Sequence, residues 1–156
     1  IEKTFNLLQQ VGGRAGRGRK LGKVLLQTYF PDQQIIKSIQ LRERESFIEK
    51  ALKERKNFNI PPFGFMTSII ISSHNKALAS KYSSQLVQLG HNDHNIKVLG
   101  PVQAPISLLR GQYRYRILIK GDNRKNLNKL TKKIVGGVQL PSSVKLIIDV
   151  DPYTFM

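Results

Sequence analysis

Phe5, Leu8 and Val11 stand at helical spacing, so residues 4–11 predict a helix that the glycines from Gly12 onward should end. A Gly-Arg loop follows. The stretch GKVLLQTYF (22–30) is rich in β-formers and closes at Pro31-Asp32, which predicts a strand. Residues 33–56 predict helix in one or two pieces, with Ile35, Ile36, Ile39 and Leu41 apolar in the first and Phe47, Ile48, Ala51 and Leu52 in the second. Their charges alternate in sign, and Glu49 and Lys53 form an (i, i+4) pair worth roughly a few tenths of a kcal/mol, as on a solvated face. Two prolines and a glycine in NFNIPPFG (57–64) forbid further helix and mark the best domain boundary.

Beyond it the pattern reads strand 66–72, helix 75–89 stopped by Gly90, strand 96–100, a long connection, strand 113–120, helix 124–135 and strand 144–150. That order, βαββαβ, predicts a ferredoxin-like α+β domain with both helices on one face of a four-stranded sheet. Period two along YRYRILIK places Tyr113, Tyr115, Ile117 and Ile119 on one face and Arg114, Arg116, Leu118 and Lys120 on the other. Tyrosines packed beneath the helices are favoured over a base-stacking pair, and the arginines are expected to be exposed. Ile69 and Ile147 are expected beside Leu118 on the arginine face, where they would pack on another domain.

Charge changes the picture from a fold to a partner. The 156 residues carry a net charge of +16, with 26 Lys and Arg against 10 Asp and Glu. An excess of that size predicts a polyanionic partner, nucleic acid first. Residues 1–60 hold 13 of the basic residues and 61–156 the other 13, so the charge is not confined to a tail. The absence of cysteine excludes a disulfide framework and a thiolate metal site, in keeping with a reducing compartment. No apolar run approaches the length of a membrane span and no signal-peptide pattern occurs, so a cytoplasmic protein is expected. The chain opens inside an amphipathic pattern without an initiator methionine, which reads as a C-terminal piece of something longer.

QQVGGRAGR (9–17) sets Arg14 and Arg17 each directly after a glycine, an arrangement that lets a guanidinium approach a bulky polar group such as a phosphate. Its spacing, Gln10-x-x-Gly13-Arg14-x-Gly16-Arg17, matches the sixth motif of superfamily 2 helicases. The chemistry of that motif is an arginine finger that stabilises charge on the γ-phosphate oxygens. Arg17 is the first choice for it, Arg14 for a second phosphate contact or lobe closure, and Gln10 for hydrogen bonding at the interface. No G-x-x-x-x-G-K-[ST] loop occurs, so ATP and Mg²⁺ would be bound mainly by a preceding lobe and this chain alone should be inactive. His91 and His94 flank Asn92 and Asp93, but a solvated loop is favoured over a metal site. In residues 121–137, Asp122 or Asn123 can cap a helix that turns Leu127, Leu130 and Ile134 inward. Arg124, Lys125, Lys129, Lys132 and Lys133 then face solvent. That face suits a phosphate backbone or an acidic peptide.

QVGGRAGRGRKLGKVLLQTY, the IPPFG connector, LGPVQAPISLLRGQYRYRILIKG (99–121) and the closing IIDVDP (147–152) together resemble the C-terminal part of the PriA family of primosomal helicases, along nearly the whole chain. The resemblance implies a bacterial, nucleoid-associated, ATP-dependent 3′–5′ DNA helicase that recognises stalled forks and initiates primosome assembly for replication restart. On it, residues 1–58 are the C-terminal edge of a second RecA-like lobe, 59–64 a connector and 65–156 a C-terminal domain that binds DNA and protein. Forked and single-stranded DNA, other primosome proteins and the C-terminal tail of the single-stranded DNA-binding protein are the implied partners. DNA contacts are expected from Arg110, Arg114, Arg116 and Lys120. Tail docking falls on Arg124 and, one turn later, on Asn128, which stands where a glutamine is expected. The family's zinc module has no ligands in this chain. The competing reading is a non-catalytic, basic ferredoxin-like module that binds RNA and whose Gly-Arg loop only touches phosphate.

Overall fold

The structure, a computed structural model, describes residues 2–15, 23–41, 43–90 and 95–152. The chain divides into two compact units, residues 1–57 and 58–156.

Among its described residues the first unit holds three helices, α1 (Glu2–Arg14), α2 (Gln34–Gln40) and α3 (Arg44–Asn57). Its core is Phe5, Ile35, Ile36 and Phe47, with Leu8 and Ile39 packed alongside. The Phe5 and Phe47 rings stack at 4.2 Å between centroids and 9° between planes. Helix α1 does not stop at Gly12 but runs through Gly13 to Arg14. A mid-helix glycine costs only about 1 kcal/mol relative to alanine, too little to terminate a packed helix. The strand expected at 22–30 is absent over its described part: residues 23–30 have no regular structure, with Leu25 96% and Tyr29 97% exposed. Strand formers need neighbours for their N–H and C=O groups, and the described part of this unit contains only helices. Leu41, assigned to the apolar set, is likewise exposed.

The second unit is built on the order β1 (Phe65–Ser73), α4 (Lys76–Gln88), β2 (Ile96–Leu109), β3 (Gln112–Gly121), α5 (Arg124–Gly136), β4 (Val144–Val150). All pairings are antiparallel and the strand order is β2-β3-β1-β4. This is the order that a βαββαβ chain produces when each helix crosses over one intervening strand. Both helices begin with an asparagine cap. Asn75 Oδ1 accepts from the Ala77 and Leu78 amides, and Asn123 Oδ1 accepts from those of Lys125 and Asn126. The core lies between helices and sheet: Ile69, Ile71, Ile117 and Ile119 from the inner strands meet Leu86, Val87, Leu127, Leu130 and Ile134.

Register fixes the faces. Ile69 lies opposite Ile117, so it belongs to the helix-covered face and not, as expected, to the arginine face. Continuous apolar runs such as SIIIS do not show which alternate residue points inward until a partner strand sets the register. Residues 101–109, expected as a connection, extend β2 to Leu109. Pro101 and Pro105 are tolerated because β2 is an edge strand, whose outward N–H groups are not needed by the ladder. The segment 58–64, containing the cis Pro61-Pro62 bond, belongs to this unit. Asn59 Nδ2 donates to Asp122, and Lys120 Nζ donates to the Phe58 carbonyl.

Candidate nucleic-acid and partner interface

In the first unit, Gln10 and Arg14 both lie exposed on α1. Four residues apart, they are neighbours on one helix face. Arg14 was expected on a loop; it occupies the last helical turn, where the carbonyl end of the helix favours a cation. Nothing stands within 4 Å of where a Cβ would sit on Gly12 or Gly13. Packing within the described chain therefore does not require these glycines. Gly16 and Arg17 lie outside the described residues.

In the second unit, the sheet face away from the helices is crossed by regular rows. One runs Val102, Arg116, Ile70, Ile147; the next runs Leu99, Leu118, Ser68, Asp149; a third joins Arg114, Ser72 and Lys145. Arg114 and Arg116 are half-buried, not exposed as expected, because β3 is an inner strand flanked by the side chains of its neighbours. Arg116 Nε is buried without a hydrogen-bond partner. Burial, followed by the repulsion of Arg114, holds the Arg116 guanidinium below the ordinary arginine value, and Asp149 opposes the shift. A cation so placed gains most from an incoming anion, since the attraction acts in poorly hydrated surroundings. Arg114 Nη1 donates to the Ile106 carbonyl at 3.4 Å. Lys120 has its ammonium on the Phe58 carbonyl, so the chain leading into β1 crosses that end of the face. Tyr113 and Tyr115 are half-buried on the helix side, opposite Ser73 and Ile71.

β2 and β3 join through Arg110 and Gly111, at φ 50 and φ 75. Both central residues are left-handed, the geometry of a tight hairpin turn whose twist suits the flanking strands. His74 Nδ1 donates to the Gly111 carbonyl at 3.1 Å and braces the tip. Arg110 is thus exposed at the end of a hairpin arm, in a backbone conformation that costs a non-glycine residue about 1 kcal/mol. The extent of this arm was not read from the sequence. The signal was present as an x-Gly pair between two apolar-rich runs, LLRGQYRY.

On α5, Leu127, Leu130, Thr131 and Ile134 are buried, leaving Arg124, Lys125, Asn128, Lys129, Lys132 and Lys133 exposed. Arg124 sits in the first turn, 4.6 Å over the Phe65 ring. Its Nη2 donates to Asp151 Oδ2 at 2.5 Å. Asp151 also accepts from the Met66 amide through Oδ1, at 3.0 Å, and donates its own amide to the Met66 carbonyl. This carboxylate ties the end of β4 to the start of β1 and holds Arg124 between a ring and a negative charge. Asn128 stands one turn further along the helix. The engagement of Arg124 by Asp151, 27 positions away, was not legible in the sequence.

Among the described residues no group of three or more His, Cys, Asp or Glu could hold a metal ion, and His91 and His94 lie outside them. The chain contains no cysteine, so it offers no thiolate ligand. No helix among the described residues is long and apolar enough to cross a membrane.

Residues 56–153 match the family described as the primosomal protein N C-terminal domain. The chain is 42% identical over 154 residues to the replication restart protein PriA of Rickettsia prowazekii, an alignment covering 99% of this chain and 24% of that protein. It is 33% identical to the protein of the same name from Haemophilus influenzae, over 97% of this chain and 21% of the relative. Identity to the one from Bacillus subtilis is 32%, over 99% of this chain and 20% of the relative. The chain thus spans about a quarter or less of the length of these curated relatives.

Proposed function

The chain belongs to the family of the primosomal protein N C-terminal domain, and from that membership we propose that it is the C-terminal part of a replication-restart DNA helicase. In this reading the whole protein hydrolyses ATP, moves 3′ to 5′, recognises stalled forks and starts primosome assembly in the bacterial cytoplasm, at the nucleoid. The observation that carries it is the order of parts. The helicase-type spacing Gln10-x-x-Gly13-Arg14-x-Gly16-Arg17 precedes the matched domain, in a chain similar along almost its full length to proteins named replication restart protein PriA.

Residues 1–58 are then the edge of a second RecA-like lobe. Arg17 stabilises charge developing on the transferred phosphoryl group, a contribution on the order of 10³-fold or more. Arg14 makes a second phosphate contact, and Gln10, one turn before it, links the nucleotide to the lobe interface. ATP and Mg²⁺ rest mainly on a preceding lobe, since this chain contains no phosphate-cradling Gly-Lys loop. The second unit supplies DNA contacts through Arg110 at the hairpin tip and Arg114 and Arg116 on the open sheet face, with Lys120 at its closed end. Arg124 and Asn128 receive the acidic C-terminal tail of the single-stranded DNA-binding protein. A terminal carboxylate meets Arg124 at a helix N-terminus, where the helix dipole adds partial positive charge.

The test is strand separation by the longer protein that this reading requires, on forks carrying either a 3′ or a 5′ single-stranded tail. Unwinding that needs ATP and a 3′ tail supports the reading. Tight nucleic-acid binding without ATP-dependent unwinding of either substrate would favour the non-catalytic binding module.

A further inference from the structure

The β2–β3 hairpin ends in an exposed apolar tip set among cations. The ladder between β1 and β3 stops at Ser73 opposite Tyr113, so Leu109, Arg110, Gly111 and Gln112 extend past the end of β1. Leu108 lies opposite Tyr113 and Leu109 opposite Gln112. Successive strand residues point to opposite faces, so each side of the tip carries a leucine; the two are 54% and 44% exposed. β2, β3 and the turn between them hold Lys97, Arg110, Arg114, Arg116 and Lys120 and no Asp or Glu.

Sheet geometry and charge narrow what can cover these leucines. The β2 edge is unsuited to receiving a strand of another protein, since it contains Pro101 and Pro105 and breaks register between Leu99 and Val102 and again between Gln103 and Leu108. An arm with cations and no carboxylate attracts a polyanion. In nucleic acid the apolar surface that could receive a leucine lies in the base stack. Leucine is among the side chains that proteins insert between base steps, parting two neighbouring bases. Insertion favours an arm that is already ordered. The left-handed pair Arg110 and Gly111 sets the turn, and His74 Nδ1 donates to the Gly111 carbonyl, so the tip is shaped before DNA arrives and loses less entropy on binding.

We propose that Leu108 and Leu109 form a wedge that enters the base stack at the junction of forked DNA and parts the first base pair, with Arg110 on the adjacent phosphate. The proposal rests on the reading that the second unit contacts DNA, and adds that the hairpin tip acts on bases and does so without ATP. The junction is the favoured place because its first pair is stacked on one side only. A pair inside the duplex has to be unstacked on both sides, and a base that is already mismatched costs least to displace.

The experiment titrates the full chain, without ATP and at one salt concentration, against three forks: fully paired, mismatched at the junction pair, and mismatched one helical turn into the duplex. The junction mismatch is expected to tighten binding about tenfold over the paired fork, and the interior mismatch to leave it unchanged. Leu108→Ser with Leu109→Ser should still bind the forks but lose that preference, whereas Arg110→Ala should weaken all three alike and keep it. A base analogue that fluoresces when unstacked, placed at the junction of the paired fork, gives a readout that needs no variant: its signal should rise when the unmodified chain binds. Equal affinity for the three forks, a preference that survives loss of both leucines, or a silent junction probe on a saturated fork overturns the wedge and leaves the tip to pack against protein. Those outcomes leave the DNA-contact reading standing. A chain that binds none of the forks overturns both.

Discussion

In the proposed function, Arg110 sets stability against DNA contact at a single residue. A tight turn with two left-handed residues favours Asn-Gly, yet this chain places arginine in the first of the two positions, at φ 50. Replacing it with asparagine should relieve the backbone cost while leaving the turn intact. Arg110→Asn is predicted to raise the unfolding free energy by about 0.5–1 kcal/mol and to weaken binding to forked DNA. Chemical denaturation and a DNA titration on the same variant check both halves; lower stability, or unchanged DNA affinity, would remove the functional reason for the strained arginine. Such a position is invisible in composition, because its cost depends on a backbone angle. Arg114 and Arg116 were legible as one face of a strand from period two alone. Their burial was not, because that depends on which strands flank β3.

At the scale of the element, α5 was legible in nearly full detail. Its cap, narrowed to Asp122 or Asn123, its inward Leu127, Leu130 and Ile134 and its basic outer face all follow from residues within one helix length. The tertiary setting of its first turn was not, since Asp151 reaches Arg124 from beyond the end of β4. An incoming acidic tail has to compete with that carboxylate. Arg124→Ala is therefore predicted to weaken binding of an acidic tail peptide by about 1–3 kcal/mol, as loss of a charge-assisted contact does. Asp151→Asn, which keeps an acceptor for the Met66 amide while removing the charge, is predicted to strengthen it. Calorimetric titration of the two variants should move affinity in opposite directions, and a peptide that binds both alike does not dock at Arg124. The elements misjudged from sequence share a cause: α1 passes Gly13, β2 passes Pro101, and 23–30 forms no strand. In each, the neighbours decide whether a local preference is enforced or overridden.

The whole molecule is dominated by its charge and by the division near residue 58. Its excess of cations is distributed over both units, and the clearest concentrations in the second are the exposed side of α5 and the open sheet face. Binding of single-stranded DNA should weaken steeply with salt, each phosphate contact contributing about 0.7 to the logarithmic slope. Reversing Arg114 and Arg116 together is predicted to lower affinity and reduce that slope by roughly 1.4, two contacts' share. A slope unchanged by the reversal would assign the open face to packing. The order of units in the second half was legible because βαββαβ patterning is local and periodic, and four antiparallel strands leave few ways to arrange it. The first half was less so, since residues 23–30 carry a strand's composition without a sheet to receive it.

In the proposed function QQVGGRAGR acts in chemistry. The test is DNA-stimulated ATP hydrolysis by the longer protein on a forked substrate, compared between the unmodified sequence and Arg17→Ala. Turnover is expected to fall about 10³-fold with ATP and DNA still bound. Equal hydrolysis by the two proteins would contradict it and leave the glycines and arginines of this stretch as a basic turn.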